Sequence, residues 1–132
     1  MLHRVSSYLS PETEDILTKC IEAALEVHTR LGGGYVEAVY HKAMCIELRH
    51  RAIPFETEHT VQIKYRDEVI HAHRIDLVVN QRVVLELKSV DRLHPIHQGQ
   101  LASCLRAWGL KAGLLMNFNT DHLRGNIRRI VV

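Results

Sequence analysis

The sequence predicts an α+β domain, and three patterns indicate this class. Apolar residues recur at helical spacing within residues 11–31, a hairpin pattern lies within residues 69–90, and residues 112–118 form an almost wholly apolar run. A chain of 132 residues has the usual size of a single domain. We therefore expect one domain over residues 1–132, with residues 1–9 as a flexible lead-in.

The first helix is predicted to begin at Ser10-Pro11, where Ser10 is the N-cap and Pro11 takes the first helical position. Gly32-Gly33-Gly34 is expected to end it. No Gly-Lys-Ser/Thr follows these glycines, which argues against a P-loop. The apolar stripe of this helix recurs at helical spacing and consists of Ile16, Cys20, Ala24, Val27 and Leu31.

A second helix is predicted from about Tyr35 to Arg51, before Ile53-Pro54 interrupts the helical pattern. Glu37 lies near the edge of its apolar stripe. Spacing alone assigns Glu37 as a first-turn carboxylate that stabilises the helix N-terminus. The expected buried residues are Val36, Val39, Tyr40, Ala43 and either Ile46 or Met44.

An antiparallel meander of three strands is predicted next, over residues 55–66, 69–79 and 82–90. The last two strands form a hairpin, because apolar runs flank the polar Asn80-Gln81-Arg82. A third helix is expected from Leu93-His94-Pro95 to Trp108-Gly109. Its expected stripe is Ile96, Leu101 or Gln100, Cys104, Leu105 and Trp108. Two strands complete the prediction, a buried one at Ala112–Phe118 and an edge strand at Asn126–Val132.

Three charged side chains, Asp76, Glu86 and Lys88, interrupt the apolar runs of the hairpin. Glu86 and Lys88 are two residues apart and so share one face of their strand. Burial of two facing carboxylates is costly, and a divalent cation with oxygen ligands, Mg²⁺ or Mn²⁺, would offset that cost. The alternative is a cross-strand cluster of salt bridges on a wet sheet face.

The length of the hairpin turn tests the metal hypothesis. A two-residue turn at Asn80-Gln81 would put Asp76 and Glu86 on opposite faces of the sheet. The metal hypothesis therefore predicts an odd-length turn, such as Asn80-Gln81-Arg82, or a β-bulge. Asn80 tolerates the left-handed conformation that such a turn needs.

Composition bounds the class of protein. The chain is 46% apolar and 24% charged, with a formal net charge of +2, which is less basic than expected for a protein that coats DNA. No apolar run is long enough to span a membrane, and no signal-peptide pattern begins the chain. Three cysteines without a C-x-x-C pair indicate reduced core thiols and a cytoplasmic protein.

Ten histidines raise the question of zinc. His71-x-His73 and His94-x-x-His97 are the closest pairs, but neither has matching cysteine or carboxylate spacing. We therefore expect surface or hydrogen-bonded histidines rather than a zinc site.

Several of these motifs together resemble a known superfamily. Asp76, followed after nine residues by Glu86-Leu87-Lys88, resembles the D…(D/E)-x-K signature of the PD-(D/E)xK nucleases. Gly34-Tyr-Val-Glu37-Ala-Val-Tyr40 is similar to the G-x-x-E-x-x-Y motif that names a small bacterial family placed in that superfamily. His97-x-x-Gln100 and Gly113–Phe118 also match that family, in the same order.

The resemblance covers roughly residues 12 to 131. It implies a restriction-endonuclease-like αβββαβ core, in which helices flank a mixed sheet. It also implies a Mg²⁺- or Mn²⁺-dependent nuclease that hydrolyses phosphodiester bonds, in DNA rather than RNA. The ligands it implies for the ion are Asp76, Glu86, the backbone carbonyl of Leu87, and Glu37 facing the site.

The resemblance gives roles to further side chains. Lys88 would orient the attacking water and stabilise the developing charge at the phosphate. Gln100 matches the glutamine of a Q-x-x-x-Y motif and would bond near Lys88 or the DNA backbone, whereas the tyrosine position of that motif is Cys104. His97 would contact the site or a phosphate.

Nucleic acid is the expected partner, and no membrane contact is expected. The arginines that could line a phosphate track, with a solvated surface as the alternative, are Arg74, Arg92, Arg124, Arg128 and Arg129. A homodimer is left open, because so small a chain offers little surface for enclosing a duplex. Two rival hypotheses are an inactive nucleic-acid-binding or regulatory module with the same fold, and an interaction domain without metal.

Overall fold

The computed structural model describes residues 9–132. Three helices and five strands follow one another in the order that the sequence predicts. They are α1 (Pro11–Leu31), α2 (Glu37–His50), β1 (Phe55–Tyr65), β2 (Glu68–Val79), β3 (Val83–Lys88), α3 (Pro95–Trp108), β4 (Ala112–Asn117) and β5 (Ile127–Val131), with a 3-10 helix at Leu123–Asn126 before β5. Of the expected lead-in at residues 1–9, only Leu9 lies within the described residues, and its side chain packs against the core.

Helix α1 begins and ends as its sequence predicts. Ser10 Oγ accepts a hydrogen bond from the backbone N–H of Thr13 at 3.1 Å, which satisfies one of the unpaired donors of the first turn. Gly32, with φ +71°, ends the helix, and its N–H bonds to the carbonyl of His28 at 2.7 Å. Most of the predicted stripe is buried, namely Ile16, Cys20, Ala24 and Val27.

Helix α2 begins two residues later than predicted. Val36 is the N-cap, in an extended conformation, so helical periodicity does not extend to it, and 70% of its surface is exposed. Ile46 is likewise 60% exposed. The predicted placement of Val36 in the core is therefore wrong, and of the alternatives Ile46 and Met44 it is Met44 that is buried. The buried side of α2 instead consists of Tyr40, Met44, Cys45 and Leu48.

The five strands form one mixed sheet in the order β1-β2-β3-β4-β5. β3 and β4 run parallel, joined by the crossover that contains α3, and the other neighbouring strands are antiparallel. A larger core lies between the sheet and helices α1 and α2, and a smaller one lies between the sheet and α3. The predicted restriction-endonuclease-like arrangement, a mixed sheet flanked by helices, is confirmed.

The hairpin turn has the odd length that the metal hypothesis requires. Val79 pairs with Val83, so Asn80, Gln81 and Arg82 form a three-residue turn. Asn80 and Gln81 have φ of +53° and +56°, in the left-handed region. This register puts Asp76 and Glu86 in phase on the two strands, and the prediction is confirmed.

Two other predictions about the core have different outcomes. Cys20, Cys45 and Cys104 are free and buried, as expected for reduced core thiols. Ile96, expected in the buried stripe of α3, is 65% exposed, so that prediction is wrong. Ile96 lies in the first turn of α3, before the stretch that packs on the sheet through Leu101, Cys104 and Leu105.

Candidate active site

Asp76 lies where β2 changes the face it presents. Ile75 packs in the core beneath α3, whereas Leu77, two residues later, packs in the core beneath α1 and α2. In a regular strand these two side chains would share a face. Opposite Asp76, Glu58 of β1 has φ +55° and the β1–β2 ladder lacks one pair. The local twist at this point turns Asp76 out of the regular pleat.

Two hydrogen bonds hold Asp76 at this twist. Its Oδ2 accepts from the backbone N–H of Leu87 at 2.9 Å. The β2–β3 ladder ends at the pair Leu77–Leu85, so the carboxylate joins the two strands where their ladder stops. The backbone carbonyl of Asp76 lies 3.1 Å from His41 Nε2. Because a carbonyl oxygen can only accept, His41 donates from Nε2.

Glu86 on β3 is half-buried, and its Oε1 is buried without a hydrogen-bond partner among the described residues. Burial raises the pKa of Glu86 to about 8, and the charges of Asp76 and Glu37 add to this rise. A backbone N–H of Asp76 and the charge of Lys88 lower the pKa. A buried acceptor without a donor is costly, and a cation beside Asp76 and Glu86 would satisfy it.

Glu37, the first residue of α2, faces Asp76 across a cleft of about 390 Å³. The cleft is charged, since most of its lining side chains are ionisable. They are Glu37, His41, Lys42, Glu58, Arg74 and Asp76. The structure therefore brings the helix acid and the β2 acid to one cleft, which Leu87 also lines, whereas Glu86 does not line it.

Tyr40 fixes the loop that precedes Glu37. Its hydroxyl donates to the carbonyl of Gly32 at 2.7 Å and accepts from the N–H of Tyr35 at 3.2 Å. Its ring stacks on Phe118 with 4.7 Å between ring centroids. The G-x-x-E-x-x-Y pattern thus has a local physical reason: Tyr40 ties the start of α2 to the end of β4, and Glu37 is placed by that attachment.

The chain after Lys88 is held by the end of the neighbouring strand. The carbonyl of Lys88 accepts from the N–H of Phe118 at 2.8 Å. The buried side chain of Asn117 accepts from the N–H of Val90 at 3.1 Å and donates to its carbonyl at 2.9 Å. Lys88 itself is half-buried at the end of β3. No salt bridge in residues 9–132 joins Lys88 to Asp76 or Glu86, so the alternative of a cross-strand salt-bridge cluster has no support.

A second depression, of about 500 Å³, lies on the α3 side of the same strands. Gln100 is exposed there and does not line the charged cleft. His73 lines the depression, and its pKa is lowered by burial first and then by His71 and Lys88, while Asp76 raises it. His73 precedes Ile75 by two positions, and Ile75 packs in the smaller core together with Cys104, which also lines the depression.

His97 lies at the start of α3, where its Nδ1 accepts from the N–H of His94 at 3.2 Å. Partial burial lowers the pKa of His97, the charges of Lys88 and His94 lower it further, and that of Glu37 raises it. Contact of His97 with the site or with a phosphate stays a prediction.

One of the predicted arginines lines the charged cleft, one lies in the loop after β3, and the others lie at the β5 edge of the sheet. Arg74 lines the charged cleft and is paired with Glu58. Arg92 is exposed in the loop after β3. Arg124 and Arg128 lie in the 3-10 helix and β5, at the sheet edge two strands from β3, and line neither depression. Arg129 on the same strand is paired with Glu14. Binding of nucleic acid by these arginines stays a prediction.

Sequence reasoning missed three residues of the cleft. His41 follows Glu37 by four positions, so helical spacing already put both on one side of α2. Lys42 follows His41 and also lines the cleft, but no motif or spacing in the sequence indicated it as a site residue. Glu58 has a left-handed backbone, which is uncommon for a residue other than glycine and could not be read from its neighbours.

The donors present fit a hard cation with few protein ligands. Within residues 9–132, no group of three or more His, Cys, Asp or Glu side chains is close enough to hold a metal ion alone. Mg²⁺ commonly binds one or two carboxylates and keeps several waters, which suits Asp76 and the orphaned oxygen of Glu86. The carbonyl of Leu87 as a further ligand stays a prediction. None of the helices in residues 9–132 has both the length and the apolar character to cross a bilayer.

Comparison with known proteins bears on the fold and on the family of the chain. No curated protein matches the chain. A solved structure described as "Crystal structure of SSO0001" is similar in fold, with a TM-score of 0.56 and 20% sequence identity. The similarity covers 92% of this chain but only 61% of that one. A family model described as the PD-(D/E)XK nuclease superfamily matches residues 14–130, so the chain belongs to that superfamily.

Proposed function

We propose that the chain is a Mg²⁺- or Mn²⁺-dependent nuclease of the GxxExxY family that hydrolyses phosphodiester bonds in DNA. The observation that carries this proposal is the buried Oε1 of Glu86, which has no partner in the described chain and lies near Asp76. A carboxylate kept in such a place costs stability and needs a reason. A cation held between Asp76, Glu86 and the Leu87 carbonyl, with Glu37 nearby, supplies that reason.

The chain's own groups account for the rest of the chemistry. When bound, a divalent ion supplies positive charge that polarises a phosphoryl oxygen and activates water. Lys88 is on the same face of β3 as Glu86, where its ammonium orients the attacking water and stabilises the anionic transition state. Asp76, fixed by Leu87 and His41, keeps its carboxylate in one orientation. Lys42 and Arg74 in the charged cleft attract the phosphate backbone.

Metal binding and cutting can be measured separately. Calorimetry with Mn²⁺ on the wild-type protein should show binding, which Asp76→Ala and Glu86→Gln abolish. A plasmid-nicking assay should show Mn²⁺-dependent cleavage, which Lys88→Ala removes. Glu68→Gln and Lys64→Ala, both exposed on the β1–β2 hairpin, are the matched controls. Wild-type protein that binds no Mn²⁺ would refute the nuclease and favour an interaction domain without metal.

A second candidate is an inactive nucleic-acid-binding module with the same fold. The specific observation in its favour is Cys104, which stands at the tyrosine position of the Q-x-x-x-Y motif and is buried on the side of α3 that packs on the sheet. In that case the protein would bind Mn²⁺ and DNA without nicking the plasmid. The same assays with an RNA of equal length test the choice of DNA, and light scattering tests whether the protein is a homodimer.

A further inference from the structure

The depression beside α3 differs in character from the charged cleft. Among the described residues that line it, none is an aspartate, glutamate, lysine or arginine. Two isoleucines supply apolar walls: Ile63 is half-buried, and Ile96 is 65% exposed. Imidazoles of His71 and His73 and the amide of Gln100 supply hydrogen-bonding groups. Such a mixture of apolar walls and a few polar groups is typical of small-molecule sites.

The depression is open because the α3 residues along it are small. Gly99, Ser103 and Cys104 face it, and a Cβ added to Gly99 would meet no atom within 4 Å. Its volume, about 500 Å³, lies in the range of roughly 300–1,000 Å³ that is usual for ligand pockets.

The depression beside α3 lies next to the residues of the candidate active site. Glu86 follows Val84 by two positions on β3, so both side chains project to the α3 side, and Val84 packs in one cluster with Cys104 on the floor of the depression. Burial and then Glu86 raise the pKa of the Cys104 thiol to about 11. His73 on its wall senses both Asp76 and Lys88. A nucleotide with its phosphate at Lys88, Asp76 and Glu86 would lie between the charged cleft on the α2 side and the neutral depression on the α3 side. The charged cleft suits the phosphates of the strand, and the neutral depression suits the uncharged base.

We propose that the depression between β2 and α3 binds an unpaired nucleobase next to the cleaved phosphate, a specificity that rests on the proposed nuclease function. The base would lie between Ile63 and Ile96, with its polar edge toward His73 and Gln100. A base inside a duplex is stacked and paired, so its polar edge and both of its faces cannot reach the walls of the depression without leaving the stack. The preferred substrates are then single strands, flaps or ends rather than an intact duplex.

The first measurement compares oligothymidylate with an abasic oligomer of the same length, in Ca²⁺ to support binding without cleavage. The two carry the same phosphates, so counterion release contributes equally. Wild-type protein should bind oligothymidylate about tenfold more tightly, because the base would remove its own apolar surface and that of the two isoleucines from water. Equal affinities for the two oligomers, or equal affinity for the thymidylate strand and its duplex with oligoadenylate, would overturn the proposal.

The second measurement fills the depression. Gly99→Leu adds a side chain into open space, so it should fold, and it should lower oligothymidylate binding to the abasic level while leaving abasic binding unchanged. Ala107→Leu adds the same side chain to an exposed position of α3 outside the depression and should bind as wild type does. If Gly99→Leu weakens both oligomers equally, or neither, the base site is wrong.

These outcomes separate the base site from the nuclease itself. Metal-dependent cleavage without any preference for a base would leave the proposed nuclease intact and overturn only the base site. Base-dependent binding in Ca²⁺ without cleavage in Mn²⁺ would do the reverse.

Discussion

His41 on α2 donates a hydrogen bond to the backbone carbonyl of Asp76 on β2, with 3.1 Å between Nε2 and the carbonyl oxygen. The contact crosses from helix to sheet at the point where β2 twists and its ladder with β1 lacks a pair. It therefore compensates a carbonyl that the sheet does not pair in the regular way. Glu37 is one helical turn earlier on the same side of α2, so one helix both supplies an acid and fixes another.

We predict that His41→Ala weakens Mn²⁺ binding about fivefold, because losing one hydrogen bond of ~1 kcal/mol loosens the orientation of Asp76. His41→Gln, whose amide can still donate, should restore part of the affinity. Calorimetry measures both, with His50→Ala at the exposed end of α2 as the control. A fall in melting temperature with unchanged Mn²⁺ affinity would mean that His41 only stabilises the fold.

Glu86 gives the metal-free protein a predictable pH dependence. Its pKa is raised from an ordinary 4.5 to about 8 in the folded state, mainly by burial. Below pH 4.5 the carboxyl is neutral in both folded and unfolded chains and costs nothing. Between pH 4.5 and about 8 the unfolded chain releases this proton while the folded chain keeps it, so stability falls across that range. Above about pH 8 the carboxyl is ionised in both states and the loss goes no further.

Urea unfolding in EDTA tests this dependence. Wild type should lose stability relative to Glu86→Gln between pH 4.5 and 8, by an amount on the order of a few kcal/mol. Adding Mn²⁺ should remove the loss for wild type, since the ion compensates the carboxylate, and should not affect Glu86→Gln. Parallel pH profiles for the two proteins in EDTA would contradict the burial of this charge. Glu68→Gln serves as the exposed control.

Tyr40→Phe should destabilise the protein by about 1–3 kcal/mol, because it leaves the carbonyl of Gly32 and the N–H of Tyr35 without their partner. The ring and its stacking on Phe118 are retained, so the loss reports the hydroxyl alone. Urea unfolding measures it. Tyr65→Phe, at a ring that is 63% exposed, should change stability little. An equal small effect at both positions would argue against the loop attachment.

Lys42 is expected to contact the phosphate backbone. Lys42→Ala should lower the slope of log affinity against log salt concentration by ~0.7–0.9, the value for one released counterion. Fluorescence anisotropy with a labelled oligonucleotide in Ca²⁺ measures the slope over a salt series. Lys64→Ala on β1 is the matched control and lies outside the charged cleft. An unchanged slope for Lys42→Ala would exclude Lys42 from the binding track.

The predictable parts of the fold were those that local chemistry determines. Ser10-Pro11 and Gly32 set the ends of α1, and the odd turn after Val79 followed from pairing parity once a shared face was required of Asp76 and Glu86. The wrong predictions concern helix ends. Val36 and Ile96 are apolar and in phase with a stripe, yet each lies at a helix start, outside the stretch that packs on the sheet.

The candidate site was predictable in its residues but not in its geometry. Spacing indicated Asp76, Glu86 and Lys88, and the resemblance added Glu37. The twist at Asp76 depends on Glu58, a residue on another strand with a left-handed backbone. The position of His41 against it is a contact between residues 35 apart. Hydrophobic periodicity and residue propensities describe local structure, so they do not predict which distant segments come into contact.

The central position of β3 has a consequence for partial unfolding. β3 pairs with β4 along its whole length, from Val83 to Lys88, and with β2 as far as Leu85. Glu86 and Lys88 thus lie on a strand held by a full ladder, whereas Glu37 begins a helix whose entry loop depends on Tyr40. Local opening starts at the less protected segments. Local opening would thus move Glu37 away from the site while Glu86 and Lys88 keep their positions on the sheet. The protein would lose its activity for that moment while the sheet stays folded.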